Sequence, residues 1–187
     1  MPIQTLIAST GLVLLMELGD KTMFTTMCLS AQYRRPGLVL LATMFALATS
    51  SIIAVILGYV LSATLPIDII TYVSGILFIG LGIFTFARAN SEVPDTCDNP
   101  GTLFGMFSLV LLSELGDKSQ ITILALAAES TYVAIVFIGS LIGFLIVNSI
   151  GALAGNRVAS RIPLRVVKIV VGLVFILFGV FVVFGIL

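Results

Sequence analysis

Apolar residues run through this chain in stretches too long for a soluble core, and polar residues fall in short clusters between them. A helix rises 1.5 Å per residue, so crossing a bilayer takes roughly 20 predominantly apolar residues. Six segments meet that measure, at about 4–30, 37–64, 67–87, 103–128, 131–156 and 163–187. The joints are Arg34-Arg35-Pro36-Gly37, Pro66-Ile67-Asp68, the polar stretch from Arg88 to Gly101, Glu129-Ser130-Thr131, and Arg157 to Pro163. Pro and Gly at such positions end helices. The pattern predicts an all-α membrane protein of six transmembrane helices.

Two of the apolar runs are interrupted by nearly the same polar cluster, Glu17-Leu-Gly-Asp20-Lys21-Thr22 and Glu114-Leu-Gly-Asp117-Lys118-Ser119, 97 positions apart. The same offset pairs Gly58 with Gly155, Pro66 with Pro163, Gly75 with Gly172, Phe78 with Phe175 and Gly82 with Gly179. This is the mark of a duplicated segment. Residues 1–87 form the first repeat, 88–101 a linker and 102–187 the second repeat. Each repeat holds three spans, an odd number, so the second copy enters the membrane upside down relative to the first. Such inverted repeats place a site at the membrane midplane.

Charge gives the orientation. Arg34, Arg35, Arg88, Arg157, Arg161, Arg165 and Lys168 all fall at the joints after spans one, three and five or just inside the span that follows. By the positive-inside rule that side is cytoplasmic, which puts both termini, Asp68 and Glu129 on the extracytoplasmic side. The linker carries Glu92, Asp95 and Asp98 among Pro residues and reads as a solvated hinge. The opening Met-Pro-Ile-Gln-Thr lacks the positive region of a signal peptide, so the first run is expected to remain as a span.

Composition agrees: 59% of residues are hydrophobic, 10% are charged, and mean hydropathy is +1.25. Net charge is zero, which leaves no basic field for nucleic acid. The chain has no His. Cys28 and Cys97 show no metal-binding spacing, and a cytoplasmic location predicts free thiols.

The chemistry sits in the paired clusters. On a helix, Glu17, Asp20 and Lys21 share one face at i, i+3 and i+4, as do Glu114, Asp117 and Lys118. At mid-bilayer each charge costs roughly 2.5–3.5 kcal/mol, on the order of 15–20 kcal/mol for six facing lipid. They are therefore expected to face each other, giving four carboxylates and two ammonium groups with a formal charge of minus two. One divalent cation balances that.

The nearby oxygens of Thr22, Thr25, Ser119, Thr122 and Gln120 make a ligand set suited to hard cations such as Ca²⁺, Mg²⁺ and Mn²⁺. Zinc and copper are disfavoured without His or a Cys in the clusters. Crowded carboxylates hold protons when no metal is present, so metal and protons compete for the same oxygens, and Lys21 and Lys118 pair with the acids in the empty state. No prosthetic group is expected. Gly19 and Gly116 are compatible with a local unwinding and equally with close helix packing. Met23 stands where the second copy has Gln120, either as a soft ligand or as packing. Ser51 and Asn148 are equivalent polar positions at membrane depth, lining a pathway or bonding to their own helices.

The two clusters resemble the Glu-x-Gly-Asp-Lys/Arg-Thr/Ser signature of uncharacterised protein family sixteen, the Golgi and bacterial manganese and calcium exporters of the lysine-exporter superfamily. The resemblance covers nearly the whole chain, including the layout of two three-span repeats and a charged linker. It implies cation/proton antiport that removes Mn²⁺ or Ca²⁺ from the cytosol, with Glu17, Asp20, Glu114 and Asp117 as metal ligands. The family's Gln after the motif is present as Gln120 and replaced by Met23. The compact layout looks like that of a prokaryotic plasma-membrane protein, and a homodimer is compatible with it. Two other functions fit some of the residues: export of a basic amino acid, and an intramembrane aspartyl protease built on Gly19-Asp20 and Gly116-Asp117. The adjacent lysines argue against the protease, because a catalytic dyad shares a proton.

Overall fold

The computed structural model describes residues 1–87, 101–159 and 164–185, with 154–159 and 164 described in backbone only. The linker lies outside them except for Gly101, as do Arg88 and Arg161. Among the described residues every regular element is an α-helix. The helices are α1 (Pro2–Glu17), α2 (Lys21–Tyr33), α3 (Pro36–Thr64), α4 (Ile67–Ala87), α5 (Leu103–Glu114), α6 (Lys118–Glu129), α7 (Val133–Ala159) and α8 (Leu164–Val183).

Local chemistry explains the boundaries. Pro2 and Pro36 open α1 and α3, where a missing N–H is harmless. Arg34 closes α2 in the left-handed region at φ 52, and the Thr102 side chain accepts a hydrogen bond from the Gly105 amide to cap α5. Among the described residues four helices are long and apolar enough to cross a membrane, α3, α4, α7 and α8. The protein is thus an integral, multi-pass membrane protein. The expected first span is two helices, α1 and α2, bent by 66° at the break. The expected fourth span is likewise divided, into the short apolar helix α5 and α6.

The halves interlock rather than sit side by side. Helices α1 and α2 pack against α7, α5 and α6 pack against α3, and α4 packs against α8. Backbones meet closely at α4 and α8: a Cβ on Gly75 would stand 3.0 Å from the Gly179 carbonyl, and one on Gly82 would stand 2.7 Å from that of Gly172. The early glycine of one helix faces the late glycine of the other, so the two helices run antiparallel. Between these contacts Phe78 meets Phe175 with ring centroids 5.9 Å apart, both side chains fully buried. Gly75, Gly82, Gly172 and Gly179 are packing surfaces, as small residues are in membrane helices generally, whereas a Cβ on Gly80 would meet nothing within 4 Å. Outward-facing Phe45, Ile76, Leu112 and Leu153 are exposed, as suits a lipid-facing surface.

Cys28 is disulfide-bonded, which corrects the expectation of a free thiol. Compartment alone suggested reduction, and linear spacing carries no information about which cysteines meet. Cys97 lies outside the described residues.

Candidate functional site

Both helix breaks fall inside the repeated cluster. Glu17 is the last residue of α1 and Asp20 the N-cap of α2; Glu114 and Asp117 hold the same places between α5 and α6. In each break the Asp amide donates to the Glu carbonyl, at 3.0 Å in the first copy and 3.1 Å in the second. The glycines make the turn possible, with φ 78 at Gly19 and 82 at Gly116, a region costly for other residues. A Cβ on Gly116 would meet nothing within 4 Å. Unwinding rather than close packing is therefore the role of Gly116.

The breaks also show what Met23 and Gln120 do. The Gly19 amide donates to Met23 Sδ at 3.4 Å, and the Gly116 amide donates to Gln120 Oε1. Each side chain reaches back to cover the amide of its own unwound turn. Met23 is 2% exposed, so its thioether serves the break and its body serves the core.

The acids of the two copies interact. Glu17 feels the charges of Glu114, Asp20 and Asp117, and Asp117 those of Asp20, Lys118 and Lys21. Lys118 Nζ bridges the copies, 2.8 Å from Asp20 Oδ2. Its counterpart Lys21 is exposed. Glu114 accepts from Thr22 and, at 3.1 Å, from Ser119. Glu17 is 0% exposed, and neither of its oxygens has a hydrogen-bond partner. A buried polar group left in that state is expensive. Among the described residues no three acids converge closely enough to hold one metal ion together.

The profile of the family described as "Divalent cation/proton antiporter GDT1" matches residues 5–93 and 102–186. The chain belongs to this family. Its members are transporters, which accords with a chain that is not an enzyme. A Synechocystis protein named "GDT1-like protein sll0615" is 31% identical over 191 residues, covering 90% of this chain and 91% of its own. A Vibrio cholerae protein named "Putative manganese exporter" is 27% identical over 166 residues, or 88% of this chain and 83% of its own. The Saccharomyces cerevisiae "Divalent cation/proton antiporter GDT1" is 36% identical over 74 residues, 40% of this chain and 26% of its own. No solved structure matches.

The two midspan polar positions part company. Ser51 is buried and donates to the Leu47 carbonyl of its own helix at 2.7 Å. Asn148 anchors its amide nitrogen on the Phe144 carbonyl at 3.0 Å and turns its oxygen to the Thr26 hydroxyl, 2.9 Å away. Thr26, Thr43 and Ser30 were not among the residues expected from the sequence. Only the spacing of Thr22, Thr26 and Ser30 at i, i+4 and i+8 carried a signal for them.

Proposed function

We propose that the chain exports a hard divalent cation, Mn²⁺ or Ca²⁺, from the cytosol in exchange for protons, using Glu17, Asp20, Glu114 and Asp117 as metal ligands. Lys21, Thr22, Lys118, Ser119 and Gln120 support the site, and Asn148 belongs to its pathway. The observation that carries this reading is the pair of broken helices joined across the two copies by the Thr22–Glu114 hydrogen bond and by Lys118 lodged on Asp20. In the cation-free state that ammonium neutralises part of the acid cluster. An arriving cation displaces it and draws the two breaks together, because four carboxylates spread over two turns must converge to share one ion. Protons taken up by the same oxygens then release the cation. The names of the Vibrio and yeast relatives favour manganese and proton coupling.

Counting α1 with α2 and α5 with α6 as broken spans gives six spans in two inverted repeats, 1–87 and 102–187. The cationic joints then lie in the cytoplasm and both termini outside, in a prokaryotic plasma membrane. The crossed glycine pairs and the Phe78–Phe175 contact support this topology, since a two-fold axis in the membrane plane brings equivalent helices together antiparallel.

The test is uptake by purified protein in liposomes, comparing Mn²⁺, Ca²⁺ and Mg²⁺ while internal pH is followed. Divalent cation uptake coupled to proton movement, and abolished in Asp20→Asn and Asp117→Asn, is expected. Variants that move cation at the wild-type rate would sink the ligand assignment, and uptake of lysine or arginine without metal-driven proton flux would replace the cargo. The Lys118–Asp20 pair disfavours a protease, because the ammonium group occupies a carboxylate oxygen that a catalytic dyad would turn to its partner acid.

A further inference from the structure

The two repeats agree at the acids and diverge one turn away. From the first break, α2 presents Thr22, Thr26 and Ser30 along one face, leading towards Arg34. From the second, α6 presents Ser119, Ile123 and Ala127 at the equivalent places, so the oxygens stop after the first residue. The partner helices diverge in the same sense. Thr43 of α3 and Asn148 of α7 converge on Thr26, whose hydroxyl oxygen lies 2.9 Å from Asn148 Oδ1 and 3.4 Å from Thr43 Oγ1. Their equivalents Ser140 and Ser51 turn away and donate to Val136 and Leu47 of their own helices, each at 2.7 Å.

All three members of the cluster are 0% exposed. One turn further along α2, Ser30 is 6% exposed and its hydroxyl has no partner. Three helices thus bring neutral oxygens to one enclosed point beyond the carboxylates, and an unsatisfied hydroxyl marks the next step. On the opposite side Ile123 and Ala127, 1% and 0% exposed, close the equivalent route with apolar side chains.

We infer that Thr26, Thr43 and Asn148 form a second, uncharged cation station between the acidic site and the Arg34 end of the protein, with Ser30 continuing the route. The inference rests on the proposed antiport of divalent cations and adds a side to it. Hydroxyl and amide oxygens are hard donors that replace part of a hydration shell. Without charge they bind weakly, so an ion pauses and passes on to the carboxylates. Such a station sets the rate of entry from one side and leaves equilibrium affinity at the acids unaltered.

The experiment uses Mn²⁺ with the full-length protein in oriented liposomes, and measures uptake from each side together with equilibrium Mn²⁺ binding and thermal stability. Thr26→Val keeps the side-chain shape and removes the oxygen; Thr26→Ser keeps the oxygen and removes a methyl. The expected result is a fivefold or greater loss of Mn²⁺ entry from the Arg34 side in Thr26→Val, with binding unchanged and Thr26→Ser near wild type. The reverse order, with Thr26→Ser the poorer protein and Thr26→Val normal, would make the cluster packing and overturn the inference.

Ser30→Ala guards against misfolding of the first variant, because it removes a hydroxyl that has no partner to lose. It is expected to slow entry at least twofold without lowering the melting temperature, and unchanged entry counts against the route. Wild-type protein that moves no divalent cation from either side would instead reject the antiport reading on which the station depends.

Discussion

Replacing Gly116 with Ala isolates the value of the broken helix. At φ 82 an L-residue with a Cβ pays about 1–2 kcal/mol for the left-handed conformation. No steric term adds to this, since the new Cβ would meet nothing within 4 Å. Ala in a helix interior is about 1 kcal/mol better than Gly, so the substitution also favours any state in which α5 and α6 run on as one straight helix. The two effects act in the same direction and total about 2–3 kcal/mol, a shift of roughly 30- to 140-fold in the ratio of broken to straight states.

A straight helix would take the Gln120 side chain off the Gly116 amide and move Glu114 relative to Asp117. Mn²⁺ uptake by Gly116→Ala in liposomes should therefore fall at least tenfold, while Gly116→Asn, which tolerates a positive φ, should retain much more. Equal uptake by the Ala variant and the wild type would show that the break has no part in transport.

Met23→Gln gives the first break the cover that the second has, an amide oxygen in place of a weakly accepting thioether. A gain of about 0.5–1.5 kcal/mol is expected, read as a rise of a few degrees in melting temperature; a fall would mean that the core needs the thioether more than the turn needs the oxygen. Glu129 sits at the end of α6, beside the joint outside the spans, with one buried oxygen unpartnered. Burial pushes its carboxyl up to about 7, against the opposing effect of a hydrogen bond with Ser74. The fold prefers the protonated acid, so its contribution to stability is fully present below the ordinary carboxyl range and is lost as pH rises through about 7. Between pH 5 and pH 8 the wild type should lose more thermal stability than Glu129→Gln, and identical slopes would refute the assignment.

Much of this arrangement was legible in the chain because it is written in periodicity and charge. Six charges in apolar runs marked the acidic clusters, and the offset of 97 tied them together. Gly19 and Gly116 stood at the right places, but sequence could not decide between unwinding and packing, which depends on the backbone dihedral and on what surrounds the missing Cβ. Where the first and fourth spans break was hidden for the same reason, since hydropathy is blind to a turn of three residues within an apolar run. Met23, opposite Gln120, read either as a soft ligand or as packing, and each of the two side chains accepts from the glycine amide of its own break. Thr26 and Thr43 come from consecutive helices and Asn148 lies 122 positions beyond Thr26, and only packing makes the three neighbours. The lysines look interchangeable in the motif, yet Lys118 is paired and Lys21 exposed.

The contact between Phe78 and Phe175 bears on how such a chain arose. The two rings hold the same position in their respective copies, so a single ancestral copy could have made this contact only with a second molecule of itself. On the proposed duplication, one coding segment supplied both partners, so every substitution appeared twice in the assembly and its two faces had to remain alike. Joining the copies in one chain ended that constraint. Asn148 and Ser51, or Thr26 and Ile123, could then differ, as the proposed one-sided station requires.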